Sequence, residues 1–150
     1  MRPEDFAVTY KWIEGSVPPP YHYEYEIHIG PGEKGRITFY PNYPMEKPPV
    51  WIEEFQLDNM TLNSLYELIV EKGILVRDWT IVEDAEVGDK LEWIEGVANT
   101  IHFEVPSTIE ESAIVESIYE FIRSLVPERI WTRLMSQQKQ YEIDYLESQE

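Results

Sequence analysis

Tyr21-His22-Tyr23-Glu24-Tyr25-Glu26-Ile27-His28-Ile29-Gly30-Pro31-Gly32-Glu33-Lys34-Gly35-Arg36-Ile37-Thr38-Phe39-Tyr40 is the stretch that decides the fold. Tyr21, Tyr23, Tyr25, Ile27 and Ile29 alternate with His22, Glu24, Glu26 and His28, the period of two expected of a strand with one apolar face. Gly30–Gly35 supplies turn chemistry. Ile37 and Phe39 then share a face, while Arg36, Thr38 and Tyr40 take the other, so residues 21–40 read as a β-hairpin. On its polar side, Arg36 and Thr38 are expected opposite the carboxylates of Glu24 and Glu26.

The pattern extends outward from this hairpin. Phe6, Val8, Tyr10 and Trp12 alternate with Ala7, Thr9, Lys11 and Ile13, a preceding strand joined through the stiff run Pro18-Pro19-Pro20. Pro41–Pro49 is a second proline-rich connector. It leads to a fourth strand, Val50–Leu57, with Trp51, Phe55 and Leu57 inward. Asp58 or Thr61 can cap a helix with the stripe Leu62, Leu65, Leu68 and Ile69, which Gly73 terminates. Residues 74–82 are apolar enough for a fifth strand. Leu91–Glu95 and Thr100–Val105 form a second hairpin about Gly96–Asn99, with Leu91 and Trp93 expected on one face with Ile101, Phe103 and Val105. After Pro106, Ser107/Glu110 and Thr108/Glu111 have capping-box spacing, and Ile114, Ile118, Phe121, Ile122 and Leu125 make a helical stripe. Pro127 opens a third helix whose last residues are expected to fray.

Strands joined mainly by hairpins, with helices grouped after them, specify an α+β fold. About six or seven antiparallel strands should pack against about three helices, two of them C-terminal. Residues 1–150 read as a single domain, without internal repeats or a compositional break.

The chain carries 29 acidic and 12 basic residues, a formal charge of −17, and no cysteine. Thiolate chemistry, disulfides and thiolate metal sites are therefore excluded. Five tryptophans, ten tyrosines and five phenylalanines are too much apolar ring for a disordered acidic chain. The charge opposes direct nucleic-acid binding, which needs clustered Lys and Arg. Met1 leads into Arg2-Pro3-Glu4-Asp5 without an apolar signal core, and no run of about 18 apolar residues occurs. The expectation is a soluble cytoplasmic protein that does not enter membranes.

Chemistry-bearing patterns are sparse. His22, Glu24, Glu26 and His28 share a polar strand face and are the metal-ligand candidates, although a row of four lacks the convergence of a metal site. No cofactor is implied. The run from Glu83 to Glu95 is the densest in acid, but Asp89 stands where a calcium loop needs glycine. Its Glu83, Asp84, Glu86 and Asp89 are instead candidates for attracting a basic partner. Glu53 and Glu54, beside Trp51 and Phe55, are the best-placed carboxylate pair for acid–base work, and water-facing strand residues explain them better. No serine sits in a nucleophile elbow, and Gly30–Gly35 lacks the Gly-Lys-Ser/Thr ending of a phosphate loop. Tyr21, Tyr40 and Tyr43, set among prolines, are candidate aromatic anchors for a partner. Pinning of long loops onto the sheet is the competing explanation for them.

Phe39-Tyr40-Pro41-Asn42-Tyr43-Pro44-Met45-Glu46-Lys47-Pro48-Pro49-Val50 resembles the Tyr-Pro-x-x-x-Pro-Pro segment between the third and fourth strands of ubiquitin-conjugating enzymes and RWD domains. The resemblance implies at most a noncatalytic relative, because there is no cysteine to form a thioester and no His-Pro-Asn follows. Through Gly15–Tyr21, Pro48–Trp51 and Leu125–Glu128 the whole chain also resembles uncharacterised small acidic bacterial proteins, a likeness that implies no activity.

These features favour a noncatalytic cytoplasmic protein-interaction domain whose partner is a basic protein. The alternative is a small-ligand or metal-binding domain, or an enzyme, that uses the polar sheet face. The C-terminal stripe Trp131, Leu134, Met135, Tyr141 and Tyr145 offers either an internal packing surface or a homodimer interface.

Overall fold

The computed structural model describes residues 1–82 and 90–149. Among them, strands β1 (Ala7–Ile13), β2 (Glu24–Ile29), β3 (Lys34–Tyr40), β4 (Trp51–Gln56), β5 (Leu91–Ala98) and β6 (Ile101–Val105) form one antiparallel sheet. Its order is β4-β3-β2-β1-β5-β6. Helices α1 (Asn59–Glu71), α2 (Ser112–Leu125) and α3 (Glu128–Ser148) complete the α+β architecture. The first four strands form a meander. The chain then crosses back through α1, so that β5 adds beside β1 and β6 closes the far edge.

Alternation along the strands assigns every helix to the same side. Phe6 meets Tyr66 of α1, Tyr10 stacks on Tyr119 of α2, and Tyr25 meets Trp131 of α3 edge-on. Val8, Tyr10, Tyr25, Ile27, Ile37, Phe39 and Ile94 are the sheet's contribution to the core, closed from above by Leu62, Leu65, Ile69, Ile118, Ile122 and Leu134. Two glycines let aromatic rings lie across the strands. Gly35 pairs with Phe55 and Gly96 with Phe103, and a Cβ at either glycine would stand 2.2 or 2.5 Å from the facing ring. Each phenyl thus covers the missing side chain, one near each edge of the sheet.

The proline connectors are fastened beneath α3. Buried Gln138 donates from Nε2 to the carbonyls of Pro20 and Pro41, at 3.0 and 3.1 Å. Asn42, also buried, donates to the Tyr141 hydroxyl, and Tyr145 donates to Glu46. Trp131 and Met135 pack against the core and Leu134 lies within it. The residues of the C-terminal stripe are therefore engaged within this chain.

Several local expectations differ from the structure. Residues 74–82 form no strand; only an isolated bridge joins Ile81 to Ile109. The second hairpin turns at Asn99-Thr100, both left-handed (φ 52° and 64°), so β5 runs on to Ala98. Its core face is then Ile94, Gly96 and Ala98, opposite Val105, Phe103 and Ile101, which puts Leu91 and Trp93 on the other face. The bulk of those two side chains suggested the reverse. Register is set by Ile94 opposite Tyr10, and Glu92 is accepted on the helix side because Tyr10 and Arg123 bind its carboxylate. Neither capping box forms: α2 begins at Ser112, and Glu111 instead accepts the Thr80 amide. At α1 the expected cap is made, Asp58 accepting from Thr61 N at 2.7 Å.

Candidate binding face

With all three helices on one side, the other side of the sheet carries a legible grid. One row runs Glu104, Glu95, Thr9, His28, Arg36, Glu54 across all six strands. The next runs Trp93, Lys11, Glu26, Thr38, Ile52, and a third runs Leu91, Ile13, Glu24, Tyr40. Tyr40 and Trp93 are half-buried here and Ile52 is 57% exposed, so apolar and aromatic surface lies among carboxylates on a face that no described helix covers.

Cross-strand ion pairs organise the centre. Lys11 Nζ lies 3.6 Å from Glu26 and 3.4 Å from Glu95, with the Trp93 ring 5.9 Å away. Partial burial opposes its charge, but the carboxylates of Glu95 and Glu26 outweigh that and hold the ammonium above its ordinary pKa. Burial raises the Tyr40 phenol, and the negative charges of Glu26 and Glu24 add to the effect. Two shallow depressions share these three residues: one of about 190 Å³ reaches Lys11, Ile13 and Trp93, and one of about 400 Å³ reaches Pro44, Lys47, Pro48 and Val50. A third, of about 460 Å³, lies toward β6 between Thr9, Glu95, His102 and Glu104.

The expected site residues have separate fates. Tyr40 lies on the open face and Tyr21 is exposed beside the first connector. Tyr43 is occupied as a loop pin, stacked on His22 at 3.7 Å and donating to the Val17 carbonyl at 2.5 Å. Glu83, Asp84, Glu86 and Asp89 lie outside the described residues. Among the metal candidates, His22 does not share the polar face: it is buried under Tyr43, because it precedes the first paired residue of β2. Its Nε2 is 2.8 Å from Glu24, whereas His28 Nε2 is 3.6 Å from Glu26. The four residues thus form two pairs, and among the described residues no three His, Asp or Glu side chains gather as a metal-holding group. Arg36 lies opposite His28, and Thr38 opposite Glu26. Glu53 and Glu54 point to opposite sides, the former ion-paired with Arg133 of α3.

Thr9 Oγ1, His28 Nδ1 and Glu26 stand in sequence, with 3.1 Å between the first two. The outline is that of a nucleophile, base and orienting acid. Its chemistry is poor, since 3.6 Å exceeds hydrogen-bond distance and β1 and β2 are interior strands whose amides are engaged in the ladder rather than aimed at an oxyanion. Burial also lowers the His28 pKa despite Glu26.

Two features escaped the sequence reading. Trp93 is expected on the face of Ile101, Phe103 and Val105, and only the register places it on the opposite, uncovered face. On the helix side, Tyr10 donates to Glu92, while Arg123 Nη1 donates to the Tyr10 hydroxyl at 2.8 Å and to Glu92 at 3.0 Å. The partners lie as much as 113 residues apart in the chain, so no local pattern announces them. No protein-family model matches the chain, and no curated protein is significantly similar to it. No helix among the described residues is long and apolar enough to cross a membrane.

Proposed function

We propose that this protein is a noncatalytic interaction domain, acting in the cytoplasm, that binds a basic protein partner through the uncovered face of its sheet. The observation that carries this reading is the placement of Tyr40, Trp93 and Ile52 on that face among Glu24, Glu26, Glu54, Glu95 and Glu104. Aromatic anchors ringed by charge combine affinity with electrostatic selection of the partner. The face itself holds an ammonium in this manner, since Lys11 sits between two carboxylates beside an indole. The overall charge of −17 favours encounter with a cationic surface, and the acidic run from Glu83 to Asp89 adds to that long-range field. The local Tyr-Pro and Pro-Pro resemblance is compatible with a noncatalytic binding role.

The test is capture of partners at low salt by the wild-type protein, by a Tyr40→Ala/Trp93→Ala variant and by a Glu120→Lys control on α2. The reading expects a basic partner that salt releases, that the double variant loses and that the control retains. Equal capture by all three proteins would place binding elsewhere and reject it.

A further inference from the structure

β6 ends the sheet: it pairs with β5 on one side, and no described strand pairs with the other. The two-residue turn Asn99-Thr100 fixes which main-chain groups face outward. It makes Ala98 and Ile101 a hydrogen-bonded pair, and alternation does the same for Gly96 with Phe103 and for Ile94 with Val105. The amides and carbonyls of His102 and Glu104 are therefore turned toward the open edge. Phe103 lays its ring across Gly96, inward from that edge, and leaves the middle of the strand accessible.

Ile101-His102-Phe103-Glu104-Val105 is complementary to itself in reverse. An antiparallel pair of β6 strands centred on Phe103 sets His102 of each copy opposite Glu104 of the other. All the outward amides and carbonyls of these two residues then meet partners. Side chains directly opposite are about 5 Å apart, and an imidazole N–H donates to a carboxylate whether the ring is neutral or charged. Both side chains are exposed. Within its own chain Glu104 stands opposite Glu95, a like charge already bound to Lys11, so the second copy supplies the complement that the chain withholds. On the helix side, Ile101, 49% exposed, comes opposite Val105 of the other copy. Centring the pair on His102 or Glu104 instead sets identical side chains against each other. The same holds at the opposite edge of the sheet, where pairing of β4 about Glu53 or Glu54 opposes identical carboxylates.

We propose that two copies of this chain join through the outer edges of β6, paired antiparallel about Phe103. The two-fold axis stands perpendicular to the sheet, so the two six-stranded sheets become one with both open faces on the same side. His102 of the second copy then stands beside Glu104 at the rim of the depression of about 460 Å³ that also holds Thr9 and Glu95. This contact needs no basic partner and presents any such partner with two faces in fixed register. The strand is only five residues long and each chain carries a charge of −17, so the dimer is weak. At about 0.15 M salt, repulsion between exposed charges more than about 8 Å apart is largely screened.

Sedimentation equilibrium at that salt, with protein up to about 1 mM, measures the association. Amide exchange read residue by residue locates it. The expected result is a monomer–dimer equilibrium in which the amides of His102 and Glu104 slow as concentration rises, while that of Phe103, already bonded to β5, changes less. His102→Glu and Glu104→Lys should each self-associate about tenfold more weakly. An equimolar mixture of the two variants should restore association, because the facing charges are then opposite, a rescue that damaged folding does not produce. A monomer at every concentration, oligomers beyond the dimer, a dimer in which residues 102 and 104 exchange as in the monomer, or a mixture no tighter than the separate variants overturns the proposal.

Discussion

Replacing Arg123 with methionine tests the structural logic on the helix side of the sheet, behind the candidate face. Arg123 is the helix-side cation of a partly buried cluster, its side chain 27% exposed and that of Glu92 13% exposed. It donates to both the Tyr10 hydroxyl and the Glu92 carboxylate, while its guanidinium lies 5.7 Å from the Tyr10 ring and 5.9 Å from the Trp12 ring. Methionine retains much of the stem's packing but leaves Glu92 without that charge partner. Removing one partner of a fully buried pair costs about 3–5 kcal/mol. Residual exposure, and Lys90 at 2.9 Å from Glu92, reduce the expected loss to about 2–3 kcal/mol. Urea unfolding followed by circular dichroism measures it, with the slope unchanged. The combined Tyr10→Phe/Glu92→Leu/Arg123→Met variant removes all three polar groups and should regain most of the loss. A single-variant loss below about 0.5 kcal/mol, or a combined variant less stable than Arg123→Met alone, would refute the reasoning.

Further expectations concern the core, the connectors and one turn. Burial pushes Tyr23 up to about 12 and raises Tyr10, Tyr25 and Tyr119 further. Their folded values exceed the unfolded value near 10, so their contribution to stability is complete below about pH 10 and is lost as pH rises beyond it. Tyrosinate absorbance should show these four titrating only with alkaline unfolding, and four ordinary titrations near pH 10 would contradict the burial. Gln138→Leu removes both hydrogen bonds to the proline connectors and leaves the Pro20 and Pro41 carbonyls without that donor, a loss of about 2–3 kcal/mol; an unchanged urea midpoint would show that the clamp is unimportant. Asp5 accepts the Thr100 and Asn99 amides at 2.8 and 2.7 Å, and these bonds hold its carboxyl below its ordinary pKa. That stabilisation is present above the ordinary carboxylate range and lost as pH falls through the lowered value. Relative to Asp5→Ala, the wild-type turn should show slowed amide exchange near neutrality, and the difference should vanish in acid.

The fold was legible where one local pattern had one interpretation. Tyr25, Ile27 and Ile29 against Glu24, Glu26 and His28 fixed a half-buried strand, and Ile37 with Phe39 fixed its hairpin partner. Asp58 before the Leu62, Leu65, Ile69 stripe likewise marked α1. Legibility failed where tertiary partners decide. Leu91 and Trp93 are more apolar than Glu92, yet Arg123 and Tyr10 draw Glu92 inward and leave the indole outside. Thr80 takes Glu111 away from helix capping, and Tyr43 takes His22 out of the polar row. The ingredients of the candidate face stand out in the sequence, Tyr40 as an aromatic anchor and Glu24 and Glu26 as metal-ligand candidates. The extent of that face depended on strand order, which brings Trp93 of β5 and Ile52 of β4 onto the same face from opposite sides of the central pair.

Hydrogen exchange of the protein with and without its captured basic partner tests the central claim most directly. Protection centred on residues 24–26, 38–40, 50–54 and 91–95, weakening as salt is raised, is the expected result. Protection confined to the outer surfaces of α2 and α3, with these strand segments unchanged, would contradict the assignment of the open sheet face as the binding surface.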